Sequence, residues 1–324
     1  MYFLKHFDNL LSIASHYADN KKCKDAITKY RWQDGDVVCP YCGKHLCKRS
    51  RNGRFHCTVC NSNFSCLVGT IFENTKLPLV KWFMAMFLIS SHKKGISSYQ
   101  LARDIDISQK SAWYVLQKIR TLYAQNDAEP FVGTVECDEV YIGGKEKWKH
   151  KSMRTPHTQG RCTKTKTPVF GMIQRSYIIN ENGDYEPMSY VHAMVVNKTD
   201  KATLQPIIEQ FVSEGSRVVT DELSAYNGLS ERGYLHDIVK HGAEEYANDD
   251  IFTNSIEGFW SHLRRMIFGC YHDVSDKYLQ RYIDEAVYRW NTRKASQTER
   301  FSDMFAKSIG LIVRWKEIDY GLVG

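Results

Sequence analysis

Between residues 253 and 267 the apolar positions are Ile256, Phe259, Trp260, Leu263 and Ile267, the spacing of one face of an amphipathic helix. Thr253 or Asn254 stands where a cap belongs, and Glu257 falls in the first turn, where the helix dipole favours an acid. A second helix follows in DKYLQRYIDEAVYRWNTR, with Leu279, Tyr282, Ile283, Ala286, Val287 and Trp290 on one side. Upstream the period shortens to two. FVGTVECDEVYIGG, PVFGMIQRSYII and MSYVHAMVV are rich in β-branched and aromatic residues and predict strands, with NGD at 182–184 as a turn. DKATLQPIIEQFV then predicts a helix, and SRVVTDE and HDIVKHG two more strands. Three strands, helix, two strands, helix is an α/β order, with five strands in one mixed sheet flanked by helices.

The first part of the chain is patterned differently. After Pro78, LVKWFMAMFLISSHKKG predicts a mostly buried helix ending near Gly95. In ISSYQLARDIDISQKSAWYVLQKIRTLY, Leu101, Ala102 and Ile105 form a short apolar face, the chain breaks at Ile107, and Ser108 caps a helix with Ala112, Val115, Leu116, Ile119 and Leu122 inward. That is the pattern of a helix-turn-helix, whose second helix would meet the major groove of DNA through Gln109, Lys110, Trp113 and Tyr114. A plain helical hairpin inside a larger core has the same pattern. The polar break from Asn126 to Pro130 marks a domain boundary.

Acids interrupt the apolar runs of the second half in three places. Asp138 lies within VECDEVYIGG, Asp221 ends RVVTDE, and Glu257 borders the helical stripe. A carboxylate in or just beyond a buried strand is costly unless it is paired or binds a metal. Acids on two strands and a helix suffice to hold two Mg²⁺ or Mn²⁺ ions about 3.5–4 Å apart, the arrangement that serves phosphoryl transfer. Acids at strand ends also occur in any domain. Glu139 and Glu222 each follow one of these aspartates, point to the opposite face by the two-residue period, and are expected to be structural or solvent-facing.

Ten cysteines change the picture of the N-terminal region. Cys39 and Cys42 form one C-x-x-C, Cys57 and Cys60 another, with fourteen residues between the pairs. Two such knuckles joined by a hairpin, here with Asn52-Gly53 at its tip, make a structural Zn²⁺ ribbon. A redox C-x-x-C needs one pair beside a βαβ unit. Cys47 and Cys66 are spare thiols, and His45 and His56 are possible substitute ligands.

The 324 residues carry 43% hydrophobic side chains and a formal net charge of +7, which suits a polyanionic partner without proving one. Residues 145–167 hold eight Lys or Arg against one Glu. Such a run is either a solvated loop or, as favoured here, a DNA contact through Lys147, Lys149 and Lys151. The N-terminus lacks the order of a signal peptide, and the longest apolar run, residues 77–90, is too short to span a membrane. A cytoplasmic protein with no membrane partner is expected.

RWQDGDVVCPYCG, VECDEVYIGGKEKWKH, VVTDELSAYNGL and TNSIEGFWSHLRRMIFGCYHDVSDKYLQRYIDEAVYRWN resemble bacterial insertion-sequence transposases with an N-terminal zinc ribbon, the group related to Merlin elements. The resemblance covers about residues 24–295. It implies a ribonuclease-H-like catalytic fold in which Asp138, Asp221 and Glu257 are the DDE metal ligands, with thirty-five residues between the last two. The basic residue of the family, seven positions after the third acid and on the same helical face, is Arg264 here in place of the usual Lys, with Arg265 beside it. Asn254 is also a family position, and His241 matches one often filled by histidine near the site.

The implied organisation is an N-terminal helical segment (1–30), a zinc ribbon (31–76), a helix-turn-helix domain (77–128), a DDE domain (129–295) with the basic insertion 145–167, and a C-terminal helical tail (296–324). The implied partners are double-stranded DNA, as terminal inverted repeats and target, and a second copy of the chain, since two ends must be joined. A nucleoid-associated protein of a bacterial cytoplasm follows. A catalytically inactive DNA-binding descendant and a metal-dependent nuclease that cuts without joining are the competing functions.

Overall fold

The computed structural model describes residues 7, 9–124, 129–143, 150–156, 163–180, 182–239, 253–314 and 318. The chain divides into two compact units, one of Met1–Tyr123 with Lys294–Gly324 and one of Ala124–Arg293.

The first unit begins with α1 (Leu10–His16) and α2 (Asn20–Arg31), whose starts are capped by the side chains of Asn9 and Asp19. A small antiparallel sheet of β1 (Cys47–Arg49), β2 (Phe55–Cys57) and β3 (Asn63–Phe64) follows. Phe55 and Phe64 stack on it with ring centroids 5.6 Å apart. Next comes α3 (Leu79–Ser91), apolar on nearly all sides and buried at Trp82, Phe83, Met86 and Ile89. Helices α4 (Ser98–Asp104) and α5 (Gln109–Arg120) are capped by Ser97 and Ser108. Between them Asp106 takes a positive φ of 52°, which turns the chain sharply.

The second unit is built on one mixed sheet, as the alternation of the sequence implies. Its strands are β4 (Thr134–Ile142), β5 (Thr167–Ile179), β6 (Tyr185–Val195), β7 (Arg217–Thr220) and β8 (Leu235–Ile238), in the order β6-β5-β4-β7-β8. Strands β4, β5 and β6 pair antiparallel, and β7 and β8 join parallel beyond β4.

Helices cover both faces. Val140, Ile142, Val169 and Ile173 pack with α7 (Asn254–Met266) and α8 (Asp276–Asn291), while Val135, Cys137, Phe170 and Met172 pack with α6 (Lys201–Phe211) and the segment after Asp221. Even positions of β4 therefore face α7 and odd positions face α6, as the two-residue period requires.

The chain then returns to the first unit as α9 (Gln297–Lys307), opened by a capping box of Ser296 and Glu299. Phe305 packs against Tyr30 and Phe83 with centroids 5.3 and 5.4 Å away, and Ile309 bridges to Thr70. The amphipathic tail helix expected from the sequence is thus a core element of the N-terminal unit. Among the described residues no helix is long and apolar enough to cross a membrane.

Candidate functional site

Strand β4 places four polar-capable residues in sequence, Glu136, Cys137, Asp138 and Glu139, and alternation sends them to two faces. Asp138, half-buried on the α7 side, accepts a hydrogen bond at Oδ2 from the indole Nε1 of Trp260 at 2.9 Å. Burial pushes its carboxyl up to about 6, against hydrogen bonds from the backbone of Glu139 and from Trp260; the charges of Asp221 and Glu257 push the same way. The three acids singled out in the sequence therefore share one electrostatic neighbourhood.

Strand register accounts for two of them. The parallel pairing of β4 with β7 matches Glu136 to Val219. Asp138 and Asp221 each lie two residues further along. Asp221 follows the end of β7 and accepts at Oδ1 from the backbone N–H of Leu223 at 2.9 Å. Thr220, fully buried, donates to the carbonyl of Asp221 and lies 2.9 Å from Nε2 of His236.

Glu257 sits in the first turn of α7, exposed, as its place beside the apolar stripe predicts. The expected cap differs. Thr253 occupies the N-cap without a side-chain bond, and Asn254 is already inside the helix. The orphan N–H of Ile256 is satisfied instead by Oε2 of Glu136 at 2.9 Å. A fixed carboxylate at a helix N-terminus gains from both the free N–H and the dipole, so a local cap is not needed. Arg264 and Arg265 are exposed later on the same helix.

The oxygens of the three acids do not close on one another in the way the cysteine sulfurs do. Among the described residues, Cys39, Cys42, Cys57 and Cys60 are the group of three or more potential ligands whose donor atoms all lie within 4.8 Å. Like charges hold carboxylates apart, and a divalent cation is the species that draws such a set together.

The sulfur set has the shape of a metal site. Sγ of Cys39 is 3.6 Å from that of Cys60, and Cys42 is 3.6 Å from Cys57. Bonds of about 2.3 Å in a tetrahedron give sulfur–sulfur edges near 3.8 Å. The Cys57 thiol is pulled down to about 6, first by the backbone N–H of Cys60, so a thiolate forms there readily. Positive φ at Gly43 and Gly53 makes the knuckle and the hairpin tip. Cys66 is buried apart from the cluster, where its thiol faces the carbonyl of Lys24; His45 bonds Asp36 and His56 lies 3.2 Å from Asn63.

On α5, Lys110 is exposed, while Gln109, Trp113 and Tyr114 are half-buried. The amide of Gln109 donates to Ser98 at 2.9 Å, and Lys118 lies over the Tyr114 ring. Lys151 is exposed in a short 3-10 turn; Lys147, Lys149 and His241 lie outside the described residues. A recess in the first unit is rimmed by Lys21 and Lys24 of α2 with Arg49 and Arg51 of the hairpin, Arg49 being paired with Asp25.

Sequence reasoning missed two groups, Glu136 and the indole N–H of Trp260. Glu136 is fully buried and also accepts from Arg175 Nε at 2.7 Å. Glu139 and Glu222, expected on the opposite face, differ in burial: Glu139 is buried and accepts from the hydroxyl of Tyr226 at 2.8 Å, and Glu222 is exposed. Trp260 was legible only as part of an apolar stripe. Position i−2 from Asp138 was the available signal for Glu136, since it shares the face of the aspartate.

Residues 130–291, half of the chain, match the family described as the ISXO2-like transposase domain. Over 298 residues the chain is 27% identical to an uncharacterized protein in transposable element ISH50 of Halobacterium salinarum, covering 87% of this chain and 96% of that one. It is 29% identical over 101 residues to an uncharacterized transposase-like protein of Haemophilus influenzae, covering 31% of this chain and 80% of the relative.

Proposed function

The chain belongs to the ISXO2-like transposase family, and on that premise we propose that it cuts DNA at the terminal inverted repeats of an insertion sequence and joins the freed 3′ ends to target DNA. The observation that carries this reading is the placement of three acids by one strand: Asp138 on β4 and Asp221 just past β7 each lie two residues beyond the paired Glu136 and Val219, and Glu257 is in the first turn of the helix whose Ile256 N–H bonds Glu136. The strand order β6-β5-β4-β7-β8, with the acids on β4, just past the adjacent β7 and on a helix, fits a ribonuclease-H-like catalytic domain.

Asp138, Asp221 and Glu257 would hold two Mg²⁺ or Mn²⁺ ions. Their hard carboxylate oxygens fit such ions. Held there, such ions would supply activation of an attacking oxygen and stabilisation of a leaving one. Trp260 holds Oδ2 of Asp138 by its N–H and so orients the carboxylate. Arg264, two turns along α7 from Glu257, offers a cation to a DNA phosphate.

The remaining parts bind. Cys39, Cys42, Cys57 and Cys60 hold a structural Zn²⁺, and α4 with α5 act as a helix-turn-helix that presents Lys110 to the inverted repeat. Lys151 and its basic neighbours contact phosphates. Two element ends require at least two copies of the chain on DNA, in the bacterial cytoplasm where that DNA lies.

The test is strand transfer by purified protein with Mg²⁺ or Mn²⁺, using DNA from the flanks of its gene and a plasmid target. Wild type is expected to give joined products and Glu257→Gln none, with both binding DNA equally. Binding by both without metal-dependent cutting by either would overturn the reading.

A further inference from the structure

We propose that Glu136 and Glu139, the acids on either side of Asp138 along β4, are positioning residues: Glu136 holds the helix that carries Glu257, and Glu139 holds the turn that follows Asp221. One strand would then set the spacing of all three carboxylates. The inference rests on the catalytic reading of that triad.

Parity along the strand divides the work. Glu136 and Asp138 share the face toward α7, and Glu139 takes the other. Glu136 is fully buried, with one oxygen accepting from Arg175 Nε at 2.7 Å and the other from the Ile256 N–H at 2.9 Å. Ile256 immediately precedes Glu257. Arg175 on β5 pairs with one carboxylate oxygen of Glu136 while the other takes the Ile256 N–H, and these two bonds fix the N-terminus of α7 against β4. No local cap competes, since Thr253 makes no such bond.

Glu139 works in the opposite direction. The Tyr226 hydroxyl reaches it at 2.8 Å, and burial keeps that phenol protonated, its pKa raised well above the ordinary value. Tyr226 ends a 3-10 turn that starts three residues after Asp221. From α6, Gln205 Nε2 donates to the carbonyls of Ala225 and Asn227 at 3.0 and 2.9 Å, so the turn is held from two sides. Metal sites depend on such supporting bonds, whose loss costs affinity out of proportion to the volume removed.

The experiment uses the full chain and two near-isosteric variants, Glu136→Gln and Tyr226→Phe. Mn²⁺ binding is measured by isothermal titration calorimetry, folding by thermal melting, and strand transfer by kcat and KM for DNA. The expected result is Mn²⁺ binding ~10–100-fold weaker, kcat lowered and KM for DNA unchanged, at temperatures well below the melting transition. Lower melting temperatures with wild-type Mn²⁺ affinity would make both acids merely structural and overturn the inference. Should Glu136→Gln not fold, Glu136→Gln with Arg175→Gln, which also removes the buried cation, carries the same measurement. A wild-type protein that neither binds Mn²⁺ nor joins ends would overturn the catalytic reading itself.

Discussion

The indole of Trp260 lies over Gly171, the residue paired with Asp138 on β5, while its N–H donates to Asp138 at 2.9 Å. The absent side chain at Gly171 is what lets the ring approach. A Cβ there would fall 2.5 Å from Cη2 and 2.7 Å from Cζ2 of Trp260. Gly171→Ala is therefore expected to lower stability by about 1–3 kcal/mol. Urea unfolding measures it, and an unchanged midpoint would mean that the ring moves aside freely.

Trp260→Phe separates packing from polarity, because it keeps a ring on Gly171 and removes the donor. Mn²⁺ affinity is expected to fall ~10-fold. Calorimetry showing equal affinity would remove Trp260 from the support of Asp138.

Substituting Cys57 by Ser takes one sulfur from the cluster. Purified wild type is expected to carry about one zinc per chain and the variant much less, since structural sites need all four ligands. Elemental analysis reads the metal, and limited proteolysis reads the hairpin, which should become cleavable between Gly43 and Arg54.

His192 supplies a pH dependence. It is buried on β6, stacked on Phe211 with centroids 4.0 Å apart, and burial lowers its pKa from 6.5 to about 4. Between those values the unfolded chain binds the extra proton and the folded chain does not, so stability is full above pH 6.5 and falls as pH drops toward 4. The loss approaches about 3 kcal/mol for a shift of this size. His192→Leu should flatten that part of the stability–pH curve; a variant as acid-labile as wild type would place the sensitivity elsewhere.

The basic recess of the first unit is testable by salt. Replacing Lys21, Lys24 and Arg51 with alanine should make the plot of log affinity for DNA against log salt shallower by about 2–3, at roughly 0.9 per phosphate contact. An unaltered slope would leave the recess without a DNA role.

The legible parts were those in which the signal is local. The period of TVECDEVYI marks a strand from its own residues, and two C-x-x-C knuckles bring four thiols together by spacing alone. Glu136 was illegible because both its partners are distant: Arg175 is 39 residues away and Ile256 is 120. For the same reason Thr253 or Asn254 stood where a cap for α7 belongs, and nothing in TNSIEGFW announces that a strand supplies one. Trp260 satisfied the apolar stripe so well that its N–H carried no separate signal. The tail helix was visible in QTERFSDMFAK as an amphipathic pattern, but its destination depends on aromatic partners at Tyr30 and Phe83.

That destination orders the making of the protein. A ribosome delivers all 170 residues from Ala124 to Arg293 before it releases Phe305 and Ile309. Until then Phe83 and Tyr30 lack the Phe305 ring, and Thr70 its bridge to Ile309. Domains emerging early usually finish folding early; here the first-made unit lacks part of its core until the tail has been made. A message broken anywhere in the sheet-bearing region therefore yields a chain whose N-terminal unit lacks α9 and the aromatic contacts it supplies.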